Sequence, residues 1–166
     1  VVSASAWFLT NVTVDDTDGD VATGAQFSYH PAELWSVQQN CTESEIQTVC
    51  PNVANAYDKT WHAGAEYEPG WGLPSAEISF TGSALYVYCI VVPNLTTDLT
   101  FFIDGDTAGT YTQNANPYDA GIVQYNTLVY ANDTIPWGTH TFTLLSGATA
   151  DAQASTLAVL DYIVYT

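Results

Sequence analysis

The chain has 166 residues, of which eighteen are Asp or Glu and a single one, Lys59, is basic, for a formal net charge of −17 at pH 7. That field excludes nucleic acid and anionic membrane surfaces as partners, because contact with phosphates needs Lys or Arg to displace counterions. With 47% apolar side chains and five Trp, eleven Tyr and six Phe, the chain buries one sizeable core and is expected to form a single domain over residues 1–166.

Helical periodicity is scarce. Short β-branched and aromatic runs recur instead between Gly, Pro, Asn and Asp clusters, at the spacing of an all-β sandwich or barrel. In chain order they are 7–14, 25–29, 76–80, 85–92, 99–103, 109–112, 122–130, 139–145 and 157–165, about nine strands. The run 139–145 alternates, with His140, Phe142 and Leu144 on one face and threonines on the other, so one side is expected to be wet. His140 thereby reads as a hydrogen-bonded core histidine. The run 85–92 is apolar throughout and predicts a central strand covered on both faces. Asp104-Gly105 and Trp137-Gly138 are turn signals. Between Pro31 and Pro74 the chain is rich in Gln, Asn, Gly, Pro and Glu with scattered aromatics, which predicts a long irregular excursion.

The triplets at Asn11, Asn40, Asn94 and Asn132 each read Asn-x-Thr, the acceptor for an N-linked glycan and the mark of a secreted glycoprotein. A sequence pI near 4.1 agrees with an acidic extracellular medium, in which carboxylates begin to protonate and self-repulsion falls. No run approaches the roughly eighteen apolar residues of a membrane helix. The N-terminus lacks the charged and apolar regions of a signal peptide, so the chain reads as already processed. Cys41 and Cys50 lie close in a polar segment and are expected to form a disulfide, with Cys89 a buried thiol in an apolar run. The alternative is a bridge that takes Cys89 and frees another cysteine.

The turn 15–20, Asp-Asp-Thr-Asp-Gly-Asp, is the densest cluster of hard oxygen ligands. It is not an EF-hand, since a loop begun at Asp16 places Val21 and Phe27 where that motif needs Gly and Glu. A different calcium site from Asp15, Asp16 and Asp18 requires Asp161 of the last strand to fold back beside the turn; otherwise this is a solvated Asx turn. Glycoside hydrolysis needs two carboxylates, one in an apolar site, and Glu66 and Glu68, among Trp61, Tyr67 and Trp71, are the best pair. The competing reading has these aromatics staple a loop to the sandwich. There is no Gly-x-Ser-x-Gly, and the three histidines are too few and too scattered for a multi-copper or closed zinc centre. The loop aromatics Trp35, Trp61, Tyr67 and Trp71, with His62, form the candidate binding set, either a sugar-stacking platform or a protein interface.

The runs 99–105, 138–144 and 160–166 resemble the strand signatures of galactose-binding-like jelly rolls, including the carbohydrate-binding modules built on that fold. The resemblance implies an antiparallel jelly-roll β-sandwich with a structural calcium on Asp161 and Asp15 or Asp16. Over nearly its whole length, through 14–18, 57–62, 80–82, 86–90 and 160–165, the chain is similar to a group of secreted basidiomycete proteins. Acidic glycoproteins of this size also look like the small subunits of heterodimeric fungal laccases, which implies a non-catalytic accessory subunit that binds and stabilises a larger secreted oxidoreductase. A lectin-like module that stacks sugars on its loop aromatics is the alternative, and a carbohydrate-active enzyme using Glu66 or Glu68 comes third.

Overall fold

The computed structural model describes residues 10–37, 50–65, 72–148 and 156–166. Its strands are β1 (Val12–Asp15), β2 (Ser28–His30), β3 (Trp35–Ser36), β4 (His62–Ala65), β5 (Ser75–Gly82), β6 (Leu85–Val91), β7 (Thr97–Ile103), β8 (Asp106–Gln113), β9 (Gln124–Asn132), β10 (Gly138–Ser146) and β11 (Leu157–Tyr165). They form two antiparallel sheets. One runs β3-β4-β11-β6-β9 with β1 also on β11, and the other runs β2-β5-β10-β7-β8. The fold is an all-β jelly-roll sandwich.

The alternation in the sequence places the core. Phe142 and Leu144 of β10, Ile78 and Phe80 of β5, and Leu99 and Phe101 of β7 point inward from the five-stranded sheet, while Leu85 and Val87 of β6 and Leu160 and Ile163 of β11 meet them from the other. Packing of this density gives each buried aromatic or aliphatic side chain about 1.5–3 kcal/mol over exposure.

The central strand β11 has an irregular edge. Leu157–Leu160 pair with β4 and Tyr162–Tyr165 pair with β1, and on the opposite side the register against β6 slips between Leu160 and Tyr162. Asp161 occupies that slip, at the point where two different strands meet one edge of β11. A bulge of this kind re-aims the side chain it contains.

Three expectations are corrected. The excursion is not wholly irregular: among the described residues it carries β3, β4 and three 3-10 turns, 32–34, 53–55 and 57–59. Among the described residues it also covers the outer face of the six-stranded sheet only in part. Trp61, Ala56 and Ala63 pack there against Ile90, Val92, Leu157 and Val159 in a second apolar cluster, whereas Tyr86 and Tyr88 lie beyond this cover and stay partly open. The run 85–92 is therefore buried on both faces at its C-terminal end only. The third correction concerns Trp61, which is 0% exposed and has no face available to a ligand.

Candidate functional site

Asp161 is brought by its bulge against the turn that ends β1. The backbone N–H of Asp16 donates to the Asp161 carbonyl (3.2 Å), and the N–H of Tyr57 donates to Asp161 Oδ1 (2.9 Å). Asp15, Asp16 and Asp161 are all buried. Asp15 Oδ2 accepts the N–H groups of Thr17 (2.9 Å) and Asp18 (2.7 Å), an Asx-type turn. Asp16 Oδ2 meets His62 Nδ1 at 2.5 Å and accepts the Thr17 hydroxyl at 2.9 Å. Tyr29 stacks on the His62 ring with centroids 3.9 Å apart and donates its hydroxyl to the Asp16 carbonyl.

The cluster is short of protons. Thr60 Oγ1 sits 2.9 Å from an oxygen of Asp15 and 2.9 Å from one of Asp16, yet a hydroxyl has one proton to donate. Asp161 Oδ2 is buried with no partner. Burial, and then the neighbouring charges of Asp16 and Asp15, push the Asp161 carboxyl up to about 7 in spite of the bond from Tyr57. Burial likewise raises Asp16, against the opposing effect of His62. A carboxyl proton held on Asp161 is the cheapest way to keep three carboxylates together out of water.

Without a ligand the cluster's oxygens bond internally. Asp18 is exposed and outside the cluster. The oxygens of Asp15 and Asp16 are taken by Thr17, Asp18, Thr60 and His62, and among the described residues no three His, Cys, Asp or Glu side chains are arranged to hold an ion. The cluster is an internal pin. What it pins is the 57–59 turn, in which Asp58 (φ 44°) and Lys59 (φ 67°) take up left-handed backbone that side chains disfavour.

That turn carries Tyr57 to the head of a row of aromatic rings. Tyr57 lies 4.9 Å from Tyr162 of β11, and Tyr162 lies 4.6 Å from Tyr88 of β6, stacked at 11°. The register continues from Tyr88 to Leu128 of β9. Tyr162 donates its hydroxyl to Asn126 Oδ1 (3.3 Å), and Asn126 is itself at φ 52°. Of the four non-glycine residues with positive φ among those described, Asp58, Lys59 and Asn126 flank this row. Tyr88 and Tyr162 stack on one another and are half-buried, with Tyr57 (38% exposed) open at one end of the row.

The other expected site residues are placed as follows. Trp35 is half-buried against Tyr29 (4.9 Å), its ring against Gly64, where a Cβ would come within 2.9 Å of it. His62 is buried in the pair with Asp16 and is not a surface group. Tyr67 and Trp71, with the Glu66 and Glu68 pair, lie outside the described residues, as do Asn40 and Cys41, the partner expected for Cys50. Asn11 is exposed, and Asn94 and Asn132 are half-buried. Cys89 is a free, buried thiol raised by burial and then by Asp161. The tyrosine row was missed because its members come from three separate segments, each with an ordinary strand or turn pattern; the alternation of Tyr86 and Tyr88 in the run 85–92 was the one local signal.

No protein-family model matches the chain, and no curated protein matches it. Solved structures do. A family 35 carbohydrate-binding module from Clostridium thermocellum superposes with a TM-score of 0.52 at 8% identity, over 94% of this chain and 97% of that one. An exo-β-1,3-galactanase from Phanerochaete chrysosporium with β-1,3-galactotriose gives 0.48 at 11% identity, over 95% of this chain but 29% of that one. The CBM36-1 domain of a xylanase from the hindgut metagenome of Trinervitermes trinervoides gives 0.37 at 18%, over 60% of this chain and 73% of that one. At such identities the family 35 module establishes the shared fold, an antiparallel jelly-roll β-sandwich, and nothing finer. The expectation of a laccase-type accessory subunit draws no support from these likenesses.

Proposed function

We propose that the protein is a secreted, non-catalytic carbohydrate-binding module whose glycan lies across the row Tyr57, Tyr162 and Tyr88. The observation that carries this reading is the row itself: phenols from three segments, in contact at 4.9 and 4.6 Å and partly open. Phenol oxygens exchange hydrogen bonds with sugar hydroxyls, and the ring edges and the open face of Tyr57 take the C–H faces of a pyranose. The side chain of Asn126, fixed through Oδ1 by Tyr162, leaves its Nδ2 donors without a partner among the described residues. A surrounding charge of −17 opposes acidic polysaccharides, so a neutral glycan is the favoured class. Sharing its fold with a carbohydrate-binding module supports the same reading.

The test is a glycan array of neutral and acidic oligosaccharides followed by calorimetry on the best binder. Tyr162→Phe should weaken it by about tenfold, the loss of a hydrogen-bonding group. An array with no neutral binder would sink the proposal.

A further inference from the structure

On the opposite sheet a cleft of about 320 Å³ opens between the outer face of β5 and β10 and the loop 20–25. Its walls carry Thr23, Gly24, Ser79, Thr81 and Thr139 and, among the described residues, no charged side chain. That is the small end of the range of ligand sites, about 300–1,000 Å³.

The loop wall is held rigidly. Asp20 is buried, and its carboxylate accepts the N–H of Ala22 (2.8 Å), the N–H and hydroxyl of Thr23 (3.3 and 2.6 Å) and the hydroxyl of Tyr165 (2.8 Å). Burial acts to raise this carboxyl, but the bonds outweigh it and hold Asp20 below its ordinary range. The backbone closes the same loop: Gly24 donates to the Asp20 carbonyl (2.7 Å) and Asp20 to that of Ala25 (2.8 Å). The loop's one buried charge is thus spent internally. Gly24 sits at φ +78° with open space around the position of a Cβ, so nothing fills the cleft from that side.

The sheet wall is a hydroxyl ladder. Thr81 and Thr139 are register partners with oxygens 2.9 Å apart, and Ser79 follows two residues back on the same face of β5. Since either hydroxyl can donate to the other, the pair keeps one free donor and free acceptors toward the cleft.

We infer that this cleft is a second glycan site, which takes one or two rings of a neutral sugar through Ser79, Thr81 and Thr139, with the loop 23–25 as its opposite wall. Uncharged hydroxyls on the sheet wall, faced by an uncharged loop, match a ligand that is itself an array of hydroxyls, and they offer an anion no countercharge. The inference rests on the carbohydrate-binding reading but not on the tyrosine row. A protein with sites on both faces would bridge two glycan chains and gain avidity.

Amide chemical-shift mapping of the whole 166-residue chain, titrated with the methyl glycosides of glucose, galactose and mannose, tests it. Saturable shifts at residues 23–25, 81 and 139 with at least one of these sugars are expected. Thr81→Val with Thr139→Val, which keeps strand propensity on an exposed face, should weaken that binding about tenfold. Glucuronate should give no shift there. Shifts confined to Tyr57, Tyr88 and Tyr162 would overturn the second site and leave the first, while shifts confined to the cleft would do the reverse. No shift anywhere, unchanged affinity in the double variant, or equal binding of glucuronate would each overturn the inference.

Discussion

Asp161→Asn is expected to make the protein more stable at neutral pH and to leave it nearly unchanged in acid. Folding moves the Asp161 carboxyl from 3.8 to about 7. Between those values the folded state keeps a proton that the unfolded state has lost, so stability falls as pH rises through that window. The displacement is about three pH units at about 1.4 kcal/mol each, or ~4 kcal/mol of destabilisation once pH exceeds 7. Asn has no charge to bury and keeps the Oδ1 acceptor for the Tyr57 N–H. In metal-free buffer at pH 8 the variant should therefore gain ~3–4 kcal/mol in urea unfolding, or on the order of 10 °C in Tm for a domain of this size. At pH 5 the gain should shrink to about 1.7 kcal/mol, and at pH 4 the two proteins should agree to within about 1 kcal/mol. A wild-type stability that is flat or rises from pH 5 to 8, or a difference between the two proteins that does not change with pH, would refute the argument.

The pair His140 and Asp104 titrates in a bounded window. Asp104 Oδ2 and the Pro136 carbonyl each lie 2.7 Å from one ring nitrogen of His140, which favours the imidazolium and raises His140, while the His140 bond and the Thr141 N–H lower Asp104. The Asp104 contribution should vanish as pH falls through its lowered value and the His140 contribution as pH rises through its raised value, so His140→Gln should flatten the upper limb of the pH–stability curve. Gly82→Ala places a Cβ 2.6 Å from the Thr166 carbonyl oxygen and should cost about 1–3 kcal/mol in chemical unfolding. Phe142→Ala, at a core position 0% exposed, should cost about 3–5 kcal/mol by the same assay. Calcium added after chelation should leave the unfolding midpoint unmoved, since Asp15 and Asp16 are already bonded internally; a rise of several degrees would show that the cluster opens to admit the ion.

Period-two alternation, β-branched runs and turn residues are local properties, and they were enough to read an all-β chain and the strands that build its core. Phe142 and Leu144 face inward because their neighbours alternate with threonine, and that is visible without a structure. Composition alone likewise determined the negative field. What tertiary structure decided is which faces are covered and which distant groups meet. Trp61 reads as a surface aromatic because its neighbours are polar, yet the chain folds back over Ile90 and Val159 and buries it. Asp161 reads as one carboxylate in a strand, and only a slip in register sets it beside Asp15 and Asp16, near the opposite end of the sequence. Tyr57, Tyr88 and Tyr162 become neighbours through sheet order, which rests on pairings between residues far apart in the chain. Such pairings are settled by the free energy of the whole packed sandwich, so no local pattern records them.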